Sequence, residues 1–158
     1  MLVRLYDLPK SSPVEALRVD GIEVRRALAP ERHVVVSWVR EHFGEGWAGE
    51  CDVSFSRLPI SCFRAQRGQD VLGFACYDAT AKGFFGPTGV LERERKRGIG
   101  TALLLMTLLA MAAEGYAYAI IGGAGPADFY AKAVGAVPIA GSEPGIYANL
   151  LRSGRRPG

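Results

Sequence analysis

The sequence predicts an α/β fold, more closely an α+β mixed sheet that is antiparallel first and then parallel across one crossover, with helices on both faces. Two patterns carry that prediction. Between residues 60 and 91, three strand-like segments follow one another through short turns, as in an antiparallel meander. Residues 98–114 then form an almost wholly apolar helical stretch with a strand-like segment on either side. Strand, helix, strand in that order makes a parallel pair through a right-handed crossover.

The elements can be taken in order. Met1 to Leu8 alternates loosely and is a candidate for a short extra strand, and Val14 to Leu17, after Ser11-Ser12-Pro13, for one helical turn. Ile22 to Leu28 alternates apolar with charged residues and reads as a strand. Pro30 to Phe43 reads as a helix, with proline in its first turn and a stripe of Val34, Val35, Trp38, Val39 and Phe43. The β-branched run Val34 to Val36 pulls the other way. Trp47 to Arg57 is a weaker helix. Ile60 to Gln66 and Val71 to Tyr77 are strands around Arg67-Gly68-Gln69-Asp70, and Phe84 to Leu91 is a third. Pro87 lacks a ladder donor, so Gly86-Pro87-Thr88-Gly89 marks a break or bulge in it. Gly98 to Glu114 is the buried helix, Tyr116 to Ile121 the strand after it, and Ala127 to Val134 a short helix ended by Gly135. Ala136 to Ala140 and Ile146 to Leu151 read as a final hairpin, and residues 153–158 as a disordered basic tail. The expectation is one domain over residues 1–158, with 1–21 as an N-terminal extension.

Composition excludes several classes. At 49% apolar and 22% charged residues the chain has an ordinary globular make-up. A net charge of +3 is too mild to demand nucleic acid. Cys51, Cys62 and Cys76 have no metal-ligand spacing, and His33 and His42 are not paired; free, inert thiols and no metal are expected. The N-terminus is too short and charged for a secretory signal, and the apolar run 103–113 is too short for a membrane span. A cytoplasmic protein with no membrane and no nucleic-acid partner is expected, as a monomer or homodimer.

The chemistry centres on Val90 to Thr101, a strand running into a helix through a turn rich in glycine and arginine. A helix start leaves backbone N–H groups unpartnered and is partly positive, and glycines let a bulky anion approach them. The turn therefore suits phosphate. Arg95-Lys96-Arg97-Gly98-Ile99-Gly100 is weak alone, but a strand precedes it, an apolar helix and second strand follow, and Phe129-Tyr130-Ala131-Lys132-Ala133-Val134-Gly135-Ala136 comes after.

In this combination the chain resembles the GCN5-related N-acetyltransferase (GNAT) superfamily. Its phosphate motif is Arg or Gln, two residues, Gly, one residue, then Gly or Ala, and its later signature is an aromatic-Tyr pair. The resemblance runs from about Ile22 to Leu151. It implies a GNAT-like acyl-CoA N-acyltransferase fold, a mostly antiparallel twisted sheet with one splayed parallel pair. It also implies acetyl-CoA as acyl donor and a small-molecule or peptide amine as acceptor. The implied activity is N-acetyl transfer by direct attack in a ternary complex; the alternative is a non-catalytic acyl-CoA-binding regulatory module. By resemblance, the N–H groups of Arg95, Lys96, Arg97, Gly98, Ile99, Gly100 and Thr101 hold the pyrophosphate. Thr88, Gly89 and Val90 pair with the pantetheine arm, and the Val90 N–H faces the oxyanion. Tyr130 is at the general-acid position, with a core aromatic as the plainer reading. The base is open between Glu143, in the last hairpin loop, and a water chain. Tyr147 is open between pocket lining and strand packing, and Trp38 and Trp47 between core and cleft wall. The chain departs from the family pattern at Glu92, which replaces a common Pro, at Gly123, which replaces a common Asn, and at Gly86-Pro87.

Overall fold

The computed structural model describes residues 1–152. A six-stranded sheet is assembled from these residues in the order β1-β6-β5-β4-β3-β2. The strands are β1 (Leu2–Arg4), β2 (Ile22–Arg26), β3 (Cys62–Arg67), β4 (Asp70–Tyr77), β5 (Phe84–Val90) and β6 (Tyr118–Ile121). The helices are α1 (Val14–Val19), α2 (Arg32–Phe43), α3 (Glu45–Ser54), α4 (Ile99–Ala113) and α5 (Ala127–Val134). β2 to β5 are antiparallel to their neighbours, and β5 with β6 is the parallel pair. The predicted element order therefore holds from β2 to α5. The tail, residues 153–158, lies outside the described residues.

Two cores flank the sheet. On one face, α4 buries Leu103, Leu104, Leu108 and Met111 against Phe63, Ala65, Ala75 and Tyr77. Thr107 is buried among them, its hydroxyl donating to the Leu103 carbonyl at 2.7 Å, which removes the cost of an unpaired polar group. On the other face, α2 and α3 pack Val35, Val39, Ala48 and Cys51 on Cys62, Phe74 and Cys76. A bulge serves this division. Ala65 pairs with Gly73 and Gln66 with Val71, so Leu72 is the extra residue and turns to the α4 side.

Four local readings are corrected. α1 is a helix of six residues rather than one turn. β2 stops at Arg26, because Ala29–Glu31 forms a 3-10 turn whose Glu31 carboxylate accepts the Leu28 N–H at 2.7 Å. Pro30 sits in that turn, and α2 starts after it. The final hairpin does not form. β1 takes the outer edge of β6, with Leu2 opposite Ile120, so among the described residues the C-terminal segment pairs with the sheet only through a single bridge, Val137 to Leu2. Gly145–Tyr147 is a 3-10 turn instead of a strand start. Among the described residues, no helix is long and apolar enough to cross a membrane.

Candidate active site

The parallel pair separates almost at once. β5 and β6 are in register only at Phe84 with Ile120 and Phe85 with Ile121. Beyond Phe85 one edge of β5 is open. Leu91 donates to the Leu72 carbonyl, so Gly89 and Phe74 form the next hydrogen-bonded pair and Val90 lies opposite Gly73 in a non-hydrogen-bonded one. The N–H groups of Val90 and Thr88 consequently point away from β4, into the gap. The Arg95 Nε reaches back to the Val90 carbonyl at 3.2 Å.

This gap opens into a cleft of about 1130 Å³. At one end is the start of α4. Gly98 holds its N-cap position at φ 88°, a left-handed conformation that side chains disfavour. The first intrahelical bond is Ala102 N–H to Gly98 carbonyl, which leaves the N–H groups of Gly98 to Thr101 free for a ligand, whereas the Arg95 N–H, expected to join them, is taken by the Glu92 carbonyl at 3.2 Å. Lys96 is also left-handed, at φ 63°. The turn is braced from behind. Glu94, nearly buried, accepts Arg97 at 2.8 Å and Arg67 at 3.3 Å. Arg97, with Arg67 from the β3–β4 turn, holds the Glu94 carboxyl below the usual carboxylate range.

Tyr130, on the first turns of α5, is mostly buried between Phe85 and Phe129, with ring centroids at 6.2 and 5.1 Å. Its hydroxyl has no protein partner among the described residues, and its ring lines the cleft. Burial pushes its pKa up, so it stays protonated as a hydrogen-bond donor.

The other end of the cleft is made of side chains from separate elements. Phe43 closes α2 and stacks on Trp47 of α3, with centroids 5.4 Å apart and planes at 22°. The Phe43 ring lies so close to β5 that a Cβ added at Gly89 would sit 2.6 Å from it. Glu50, one turn along α3, accepts the Thr80 hydroxyl and lines the same wall. Tyr147 covers Gly122 just beyond β6, and burial followed by the Glu50 charge raises its pKa.

Of the residues singled out in the sequence, Thr88, Gly89, Val90, Arg95, Lys96, Gly98, Gly100, Thr101 and Tyr130 line this one cleft. Three do not. The Arg97 guanidinium is engaged by Glu94. Ile99 is turned into the core, 1% exposed, because it begins the apolar face of α4. Glu143 is exposed and lies outside the cleft lining, since the hairpin expected to carry it is absent. Tyr147 lines the cleft, as does Trp47; Trp38 instead packs on Phe43 and Phe74. Sequence reasoning missed Glu50, Thr80 and the part played by Phe43, for which no local pattern exists.

No protein-family model matches the sequence, and no curated protein matches it. Solved structures match its fold. A GCN5-related glucosamine N-acetyltransferase region of a fungal multi-domain GH3 β-N-acetylglucosaminidase superposes with a TM-score of 0.67 at 14% identity, covering 84% of this chain and 19% of that one. A GCN5-related N-acetyltransferase from Sphaerobacter thermophilus gives 0.59 at 22% identity, covering 84% and 45%. An aminoglycoside acetyltransferase from an uncultured soil metagenomic sample, in complex with sisomicin, gives 0.51 at 13% identity, covering 72% and 84%. The chain thus spans less than half the length of the first two. At such identities the likeness establishes fold: this chain has the fold of GCN5-related N-acetyltransferases.

Proposed function

We propose that this protein transfers an acetyl group from acetyl-CoA to a primary amine by direct attack in a ternary complex. The observation that carries the reading is the convergence, on one cleft, of an open β5 edge, the glycine-capped start of α4 and the unpartnered Tyr130 hydroxyl. The residues fit the donor. Free N–H groups from Gly98 to Thr101 suit a pyrophosphate at a helix N-terminus, with Lys96 adding charge. The outward N–H groups of Thr88 and Val90 suit the amide-bearing pantetheine arm, which would take the Val90 carbonyl from Arg95.

The thioester supplies the acyl carbon. The amine nitrogen forms the new C–N bond, the Val90 N–H donates to the oxyanion, and the C–S bond breaks as Tyr130 gives its proton to the leaving sulfur; the proton shed by the attacking nitrogen then restores the Tyr130 hydroxyl. A preorganised oxyanion donor of this kind is worth about 3–4 kcal/mol. An amine arrives as ammonium and must lose a proton first. Glu50 is better situated for this than Glu143, since it lines the cleft and Glu143 does not. Between Phe43, Trp47 and Tyr147, that wall suits a cationic amine carried on a body with apolar faces. Amino-sugar compounds figure in the names of two proteins sharing this fold, one for glucosamine and one bound to sisomicin.

Calorimetry with acetyl-CoA, followed by a thiol-release assay against a panel of amines, tests the reading. Binding with a 1:1 ratio and amine-dependent CoA release are expected. Absence of acetyl-CoA binding would overturn it; binding without release across the panel would favour the non-catalytic module.

A further inference from the structure

One group of nucleophilic side chains has no part in the cleft. Cys51, Cys62 and Cys76 are each fully buried, and their Sγ atoms all lie within 4.8 Å of one another. They come from α3, β3 and β4. The sheet register brings two of them together: Cys62 lies opposite Cys76. The Cys62 carbonyl accepts Ala27 on the β2 side, and Tyr77 donates to Ser61. This makes Cys62 and Cys76 a non-hydrogen-bonded pair, the type that holds opposing side chains closest. Helix α3 then lays Cys51 over both. Packing alone would not aim three thiols at one point, since the neighbouring wall is otherwise Val35, Val39, Ile60 and Phe74.

We infer that these three cysteines form a three-sulfur site for a soft, thiophilic d10 metal ion. With sulfur–metal bonds of about 2.3 Å, three ligands stand roughly 3.8–4.0 Å apart, so the site needs only a small contraction. Thiolate donors select Cu(I) and Zn(II) over harder ions. Among the described residues, the one further polar side chain against the cluster is Ser54, whose hydroxyl is 3.6 Å from the Cys76 Sγ. Three sulfurs alone suit Cu(I), whereas Zn(II) would draw on Ser54 as a fourth donor. Each thiol proton leaves to solvent as its sulfur–metal bond forms. The ion would enter before α3 docks, and would then pin α3. The same helix carries Trp47 and Glu50 on the cleft wall, so occupancy sets the geometry of that wall without touching the phosphate turn. This site stands independently of the proposed acyl transfer.

The test is anaerobic titration of reduced, metal-stripped full-length protein with Cu(I) and, separately, Zn(II), each against a chromophoric competing chelator. One equivalent of at least one ion is expected, with the thermal midpoint raised by about 5–10 °C at a hundredfold excess over Kd. Cys51→Ala, Cys62→Ala and Cys76→Ala should each weaken binding at least about 100-fold. Ser54→Ala separates the ions, lowering Zn(II) affinity and leaving Cu(I) unaffected. X-ray absorption of the wild-type complex needs no variant and should count three sulfur neighbours. Failure of both ions to bind at one equivalent, or a metal shell dominated by nitrogen and oxygen, would overturn the inference.

Discussion

The two ends of the cleft are built from different materials. At the α4 end the working groups are main-chain N–H groups on a contiguous turn, fixed by a left-handed Gly98 and braced by Glu94. At the α3 end they are the side chains of Phe43, Trp47, Glu50, Thr80 and Tyr147, brought from four separate stretches of chain. A backbone cradle tolerates many side chains around it and recognises a group common to many molecules. A side-chain wall is remade by single substitutions and recognises whatever is particular. The difference predicts that changes at the first end act on donor binding, and changes at the second on the acceptor.

The largest test of that division is Tyr130, which lies between the ends. Tyr130→Phe keeps the ring between Phe85 and Phe129 but removes the proton donor. Turnover should fall by roughly 10²–10⁴-fold, the usual worth of a positioned acid, while acetyl-CoA affinity in calorimetry stays the same. Glu50→Gln comes next. A loss of about 10–100-fold in kcat/KM for the amine is expected, with acetyl-CoA affinity again unchanged; a drop in donor affinity would break the comparison.

Gly98→Ala should do the reverse. It forces a side chain into a left-handed backbone and sets a Cβ 3.2 Å from Pro13, a cost of about 1–2 kcal/mol. Acetyl-CoA binding should weaken and the thermal midpoint fall by about 2–8 °C, while the KM for the amine holds. The smallest effect is expected for Glu94→Gln. A carboxyl held below its ordinary pKa stabilises the fold above the unfolded value, about 4.3, and that contribution is lost as pH falls through the folded one. The partner Arg97 is half exposed, so the effect should stay under about 1 kcal/mol. Melts of variant and wild type should differ at pH 7 and converge as pH falls below the unfolded value.

The same contrast explains what could be read in advance. Arg95 to Thr101 is one short segment, so its strand, turn and helix start are visible together, and Tyr130 follows from element order. The directions of Arg97 and Ile99 were not visible, because a motif of backbone positions does not say which side chains turn inward. Glu50 looked like any polar residue in a weak helix; only the packing of α3 against β4 and β5 brings it to the cleft. Cys51, Cys62 and Cys76 likewise have no shared spacing, and the register of β3 with β4 unites them. The C-terminal hairpin was misread for a related reason. Two apolar segments do flank a Gly/Pro-rich turn there, but β1 takes the edge of β6, and long-range pairing decides that competition.

The contact between Phe43 and Gly89 constrains the order in which this cleft could change. With the ring 2.6 Å from where a Cβ would stand, a side chain at position 89 requires the Phe43 ring to shift or position 43 to become smaller. Enlarging Gly89 first would overpack the wall at a cost of about 1–3 kcal/mol, whereas Phe43→Ala first opens the room. A residue larger than glycine at 89 should therefore be tolerated better after position 43 has become smaller than before it.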